Sequence, residues 1–330
     1  MKVEVHASFD GLDPERWNAL VARAAGGSVF LTWQWQTEWI ASFLDGRALQ
    51  ILTVVDPAGA LAGVLPLYAE AAGRWRIVGG EDVSDYLDLA AAPGAEAAVW
   101  EALLQQRGDD AAVWDLRGLR PESPTLAVLP ALAVARGLVA TAEREERCPI
   151  LPLPATWDEY LARLSGKDRH ELRRKMRKLE AELPAVTVRA HTSVDGWDEA
   201  MTSFLTLHRA SRTGKARFMD ERMERFFRRS LRALLAARWM RLWFLESAGA
   251  PVAGFLCMEY GGSVGLYNSG FDPAHAKLAP GIVLLGHVIR DAIERGVPVF
   301  DFLRGEEPYK YSFGPAPHDL FRLSLGPAAP

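Results

Sequence analysis

Apolar positions recur along the chain at two periods, about 3.6 and 2 residues, and the switches between them mark out elements. Trp17, Leu20, Val21 and Ala24 follow Asp13-Pro14 at helical spacing, and Gly26-Gly27 end the run. Asp13 suits a helix cap and Pro14 a first turn, so a helix is expected here. A tryptophan-rich helix is expected over residues 32–44. The period then shortens: residues 49–55 and 61–69 read as strands around the turn Asp56-Pro57-Ala58-Gly59, and residues 74–78 as a third. Residues 95–107 read as a helix and 112–116 as a strand.

The second half repeats this order. Thr156 and Glu159 form a capping box ahead of Tyr160, Leu161 and Leu164. Residues 186–191 read as a strand, and 193–209 and 220–238 as amphipathic helices. Strands are expected over 241–245, 252–260 and 263–271. A helix from Pro280 to Arg295, a strand over 299–303 and a last strand over 319–325 follow. Two pairs of segments echo each other: AGALAGVL at 58–65 with AGAPVAGFL at 248–256, and VWDLRG at 113–118 with VFDFLRG at 299–305. The offsets are similar and the order is the same, which points to a duplicated domain. The expected division is 1–150 and 151–330, at the proline-rich stretch 149–154, with the last strand available to complete the N-terminal sheet.

Composition adds limits. The net charge of −4 offers no global attraction to nucleic acid or to an anionic membrane, and no DNA partner is expected. Locally, residues 163–178 carry eight basic and two acidic side chains. Cys148 and Cys257 have neither disulfide nor metal spacing, and Cys257 reads as a small buried hydrophobe. The histidines are scattered and no metal site is expected. The opening residues do not read as a signal peptide, and no apolar run is long enough to span a membrane, so a cytoplasmic location is expected.

Four places carry candidate chemistry. The helix starting at Pro280-Gly281 offers free N–H groups and a positive dipole end to an anion, with Lys277 adding charge; an ordinary helix opening has the same look. The strand-exit segment FDFLRGEEPYKYSFG, residues 300–314, crowds Arg304, Glu306, Glu307, Tyr309, Lys310 and Tyr311 where open sheets gather ligands. There an Arg or Lys suits an anion, Glu307 a base and a tyrosine a proton donor. Asn268 on an apolar strand needs a partner, either a substrate or a neighbouring strand. The cluster Glu81-Asp82-Val83-Ser84-Asp85-Tyr86-Leu87-Asp88 suits an amine or a sugar hydroxyl, or is a solvated loop. The basic run has Leu172, Met176 and Leu179 as an apolar seam, and reads either as a phosphate contact or as a solvated face. His208 stands beside Arg209 and near Arg212, as a packed histidine or a catalytic one.

Several of these marks together resemble the CelD-like acetyltransferases of the GNAT superfamily, related to the FemABX peptidyltransferases. They are Ser84-Asp85-Tyr86 after Gly79-Gly80, Leu172-Arg173-Arg174-Lys175, Leu207-His208-Arg209, and Phe300 to Gly305 running into Glu307-Pro308-Tyr309-Lys310-Tyr311. The resemblance implies a mixed α/β chain of two tandem GNAT-like domains, each a central mixed sheet flanked by helices. It implies transfer of an acyl group from acetyl-CoA or another acyl-CoA, without a metal, to an amine or hydroxyl of a small-molecule, sugar or envelope-precursor acceptor. The donor would meet Lys277, Pro280 and Gly281, with Arg304 and Lys310 as further anion contacts. The superfamily's glycine-rich turn is here reduced to Gly281. Glu307 would be the base, Tyr309 or Tyr311 the acid, and Asp85, Tyr86, His208 and Asn268 the acceptor's partners. The alternatives are an aminoacyl-tRNA donor, as in FemABX relatives, and a non-catalytic partner in polysaccharide synthesis.

Overall fold

The computed structural model describes residues 1–80, 82–107 and 111–327. Along the first part of the chain come β1 (Lys2–His6), α1 (Pro14–Arg23), α2 (Trp33–Phe43), β2 (Leu49–Val55), β3 (Leu61–Ala71), β4 (Arg74–Ile77) and β5 (Ala90–Ala91). They are followed by α3 (Glu96–Arg107), β6 (Val113–Leu119), α4 (Pro124–Val134) and β7 (Leu138–Pro152). Next are α5 (Trp157–Arg163), α6 (Gly166–Glu182), β8 (Val186–His191), α7 (Trp197–Ser211), α8 (Thr213–Phe218) and α9 (Glu221–Ala236). The chain continues with β9 (Met240–Ser247), β10 (Ala250–Tyr260), β11 (Ser263–Phe271), α10 (Pro280–Glu294), β12 (Val299–Asp301), α11 (Pro308–Tyr311) and β13 (Ala316–Pro327).

These elements sort into two units, Met1–Arg147 with the stretch from His318 onward, and Cys148–Pro317. In the first, strands lie in the order β1-β2-β3-β4-β6-β13. All neighbours are antiparallel except β4 and β6, which run parallel. A parallel pair needs a crossover, and α3 lies between them in the chain. In the second unit the order is β8-β9-β10-β11-β12-β7, antiparallel except for β11 and β12, with α10 as the crossover. The two mixed α/β sheets therefore share one plan, and the echoes in the sequence fall on matching strands. Asp115 sits on β6 opposite Arg76, and Asp301 on β12 opposite Gly265.

The sixth strands are exchanged. β7 follows the first unit's fifth strand in sequence, yet its end pairs with β12. β13 follows the second unit's fifth strand, yet pairs with β6. Leu320, Leu323 and Leu325 bury β13, and its Arg322 pairs with the fully buried carboxylate of Asp115, which also meets Arg74, Arg76 and Arg117 at 3.2–3.3 Å.

In the second unit α10 is apolar almost all round because it is covered on two sides. Val283, Leu284, Leu285, Val288, Ile289, Ala292 and Ile293 are buried in the core. Gly286 lets α6 come close, a Cβ there standing 3.2 Å from Leu172. The apolar seam of α6, with Leu172 and Leu179 buried, thus packs inward, each leucine contributing about 2 kcal/mol of apolar burial. Arg173, Arg174 and Arg177 stay exposed on the other face.

Several elements differ from the sequence reading. The strand expected over 299–303 stops at Asp301, because Leu303 takes a left-handed φ of 55° and turns the chain out of the sheet. The helix α4 is absent from the reading: it has Pro124 at its start and Pro130 inside, and its Ser123 cap accepts from Thr125 N. The long strand β7 runs into the proline-rich stretch where the division between domains is expected. No helix among the described residues is long and apolar enough to cross a membrane.

Candidate active site

Within the second unit, a cavity of about 250 Å³ opens where β10, β11, the start of α10, α8 and the segment after β12 meet. Phe255, Phe271, Ile282 and Tyr309 supply apolar wall, and Ser211, Arg212, Lys215, Ser269 and Glu307 supply polar atoms. Its size suits the reacting end of a substrate better than a whole nucleotide-bearing molecule.

The helix start forms one side. Ala279 takes a left-handed conformation, φ 50°, and so aims α10 away from the preceding turn at Pro273–Leu278. Ile282 and Val283 both donate to Ala279 O, at 3.0 and 3.2 Å. Pro280 has no N–H to offer. Gly281 N–H has no hydrogen-bond partner among the described residues, and a Cβ at Gly281 would meet nothing within 4 Å. This is an open, electropositive helix end with room for a ligand against the backbone.

The other side comes from the segment after β12. Lys310 is 3% exposed. Its Nζ donates to Arg304 O at 2.8 Å and Gly305 O at 3.0 Å, and lies 2.9 Å from Glu307 Oε2. Glu307 Oε2 lacks a well-aligned hydrogen bond, so that last contact is one of charge more than direction. Burial alone raises the Glu307 carboxyl, but the adjacent Lys310 ammonium, with Arg212 beyond, outweighs it and holds the group below the usual carboxylate range. Glu307 is therefore ionised at neutral pH and chemically able to accept a proton. Burial pushes the Tyr309 hydroxyl above its ordinary range, with Glu307 acting the same way.

The opposite wall has two cations. Lys215 Nζ donates to the backbone oxygen of Ser269 and, at 3.1 Å, to Ser269 Oγ. Burial first, then Arg212, bring its ammonium down to about 8, while Glu307 pulls the other way. Behind this wall, α7 presses on β11: a Cβ on Gly270 would stand 2.4 Å from His208 N. His208 is 1% exposed, and its Nδ1 has no hydrogen-bond partner among the described residues. Burial, then Lys215, push its imidazole down to about 4.

Of the residues singled out in the sequence, Pro280, Gly281, Glu307 and Tyr309 come together around this cavity. The rest need correction. Lys310 has turned inward as a brace for the 304–307 turn, its N–H bonds spent on carbonyls and its charge on Glu307, and is not part of the lining. Arg304 and Tyr311 are not part of the lining, and Tyr311 donates to Glu306 Oε1 at 3.0 Å. Lys277 is exposed on the turn before α10 and is not part of the lining either. His208 is buried, Asn268 Oδ1 accepts from Ser269 N at 2.9 Å, and neither is part of the lining. Tyr86 and Asp85 belong to the first unit. The Tyr86 ring is 7% exposed, packed on Phe30 and under Arg120, which makes it a core residue there. Asp88 in the same cluster is buried, accepting from Ser123, Thr125 and Leu89 N. Glu81 lies outside the described residues. Sequence reasoning missed Arg212 and Lys215. Arg-Thr-Gly-Lys after an amphipathic helix carries no motif, and only the fold brings it opposite Glu307. Among the described residues, no group of three potential metal ligands comes together.

Residues 166–311 match the family model described as an acetyltransferase (GNAT) domain. No curated protein sequence matches the chain. Among solved structures, FemX superposes with a TM-score of 0.66 at 13% identity, covering 98% of this chain and 97% of that one. A conserved protein of unknown function from Bacteroides thetaiotaomicron gives 0.64 at 13% identity, covering 98% of this chain and 100% of that one. The C-terminal domain of a putative lysylphosphatidylglycerol synthetase from Agrobacterium fabrum gives 0.59 at 12% identity, covering 94% and 90%. At such identities the likeness is one of fold. The cavity, with its helix start and Glu307, lies within the residues that match this family model.

Proposed function

We propose that the second unit moves an acyl group from an acyl-CoA to an amine or hydroxyl by direct attack, with Glu307 as the base. One observation carries this reading: the open start of α10 and the ionised Glu307 carboxylate border a single cavity. Gly281 leaves space and an unclaimed N–H for the donor's anionic part. The apolar wall of Phe255, Phe271 and Ile282 suits the acyl chain and excludes water from it. Glu307 accepts the acceptor's proton as the new bond forms, and Lys310 keeps the carboxylate in place through the 304–307 turn. The acceptor class is a small molecule, a sugar or an envelope precursor, in line with the CelD-like marks of the sequence, and the reaction belongs in the cytoplasm.

Thermal stability with acetyl-CoA and longer acyl-CoAs tests the donor. A ligand at 100 times its Kd adds about 2.7 kcal/mol to the folded state, a readable shift. The shift should disappear in Gly281→Trp, whose side chain would occupy open space without disturbing the fold. Glu307→Gln should keep the shift and lower acyl transfer by about a hundredfold or more. Unchanged transfer in that variant would remove Glu307 from the base role.

A second reading, an aminoacyl-tRNA donor, draws on the exposed arginines of α6 and on the fold shared with FemX. Retention on tRNA that weakens steeply with salt, without any acyl-CoA shift, would favour it. Absence of both would favour a non-catalytic partner.

A further inference from the structure

Lys215 is unlike the other lysines of the chain. Lys2, Lys175, Lys178 and Lys310 each lie within 4 Å of a carboxylate, and Lys167 and Lys277 are exposed. Lys215 is half-buried in the cavity wall and forms no ion pair among the described residues. Its two hydrogen bonds both go to neutral oxygens of one residue, Ser269 O and Oγ. An amine with two N–H bonds satisfies both acceptors and keeps its lone pair on the remaining tetrahedral position. The third position on Nζ faces no hydrogen-bond acceptor among the described residues. The charges around it press the same way. Arg212, on the same wall, repels a proton on Lys215, and buried His208 behind it is itself held neutral. Glu307 alone favours the charged form, and its carboxylate is already engaged by Lys310. With the ammonium brought from 10.5 to about 8, the neutral fraction at pH 7 exceeds that of an ordinary lysine by roughly a few hundredfold.

We propose that Lys215 is a built-in acyl acceptor: its Nζ attacks the thioester of an acyl-CoA held in this cavity and becomes an Nε-acyl-lysine. The inference rests on the donor reading given above. The Nζ lone pair forms the C–N bond, the C–S bond breaks, and its electron pair leaves with sulfur. The proton shed by nitrogen passes to Glu307 and on to the thiolate, so the products are an amide and free coenzyme A. The amide carries no charge and fills space in the cavity, so each molecule modified in this way is plugged by its own acyl group. This makes the reaction a brake that tightens as acyl-CoA accumulates without acceptor.

The test uses the full chain with acetyl-CoA and no acceptor, followed by intact mass and peptide mapping, beside a melting curve of the same samples. The expected result is a single acetyl group on Lys215, formed at least about tenfold faster than on exposed Lys2, Lys167 or Lys277. Its rate should rise with pH up to about 8. The group should be missing in Lys215→Arg, whose melting curve checks that it folds, and reduced in Gly281→Trp. A melting shift with acetyl-CoA but no preferential modification of Lys215 would overturn this inference and leave the donor reading standing. Absence of both shift and modification would overturn both.

Discussion

At the scale of single residues, the site depends on which polar groups are satisfied within the protein and which are left for a ligand. Lys310 belongs to the first kind. Lys310→Met should strip Arg304 O, Gly305 O and Glu307 of a shared donor and cost about 2 kcal/mol in a denaturant titration. It should also loosen the Glu307 carboxylate and let its pKa rise, so the acid limb of activity would move to higher pH. His208 gives a pH effect of its own. Its folded-state pKa of about 4 lies below the ordinary 6.5, so between these values the unfolded chain binds more protons than the folded one. Stability should therefore rise with pH across that window and fall on acidification through it. His208→Gln should flatten the slope between about pH 4 and pH 6.5, which urea titrations at several pH values would show. Which groups the loop carries was legible in the sequence, and which way they turn was not. Arg304, Lys310 and Tyr311 sit within a few positions of Glu307, but whether a side chain turns in or out depends on the left-handed Leu303 and the brace beneath, and no local pattern announces either.

At the scale of elements, the cavity wall is fixed by how closely α7 can lie on β11. Gly270 permits this approach. Gly270→Ala would set a methyl 2.4 Å from His208 N and 2.6 Å from its Cα, against backbone that cannot yield. The expected cost is about 1–3 kcal/mol, with Lys215 displaced from Ser269, and the measurements are a melting curve and the loss of preferential Lys215 modification. Elements with strong periodicity were legible from sequence. The helix α10 lies within one residue of its expected end, and the strands β10 and β11 carry the alternation and glycine turns that mark a hairpin. The helix α4 and the strand β7 were not, because prolines sit where their periodicity should show. Pro130 in α4 and Pro149 and Pro152 in β7 read as punctuation until tertiary pairing overrides them. The basic helix α6 was legible in both senses: Leu172 and Leu179 do pack inward on α10, and the arginines do stay outside.

At the scale of the whole molecule, the duplicated plan was visible in the echoes around Gly63 and Gly254 and around Asp115 and Asp301. Of the exchange of sixth strands, the sequence reading offered the last strand to the N-terminal sheet but did not give β7 to β12, since strand partners far apart in sequence leave little trace in local pattern. That exchange predicts an uneven response to truncation. Removing residues 318–330 should take β13 from β6, expose Leu320, Leu323 and Leu325 positions of the first unit's core, and leave Asp115 without Arg322. Calorimetry should show the transition of the first unit lost or lowered by tens of degrees, although the cut lies at the opposite end of the chain. A truncated chain that retained the full transition of the first unit would show the pairing to be dispensable.

The same exchange sets an order of events during synthesis. The ribosome releases the first five strands of the leading unit long before the strand that closes its sheet. The trailing unit, by contrast, has its borrowed strand waiting when β12 appears. A chain made from its N-terminus thus finishes its second half before its first, and β6 passes through translation as an unclosed edge open to wrong partners.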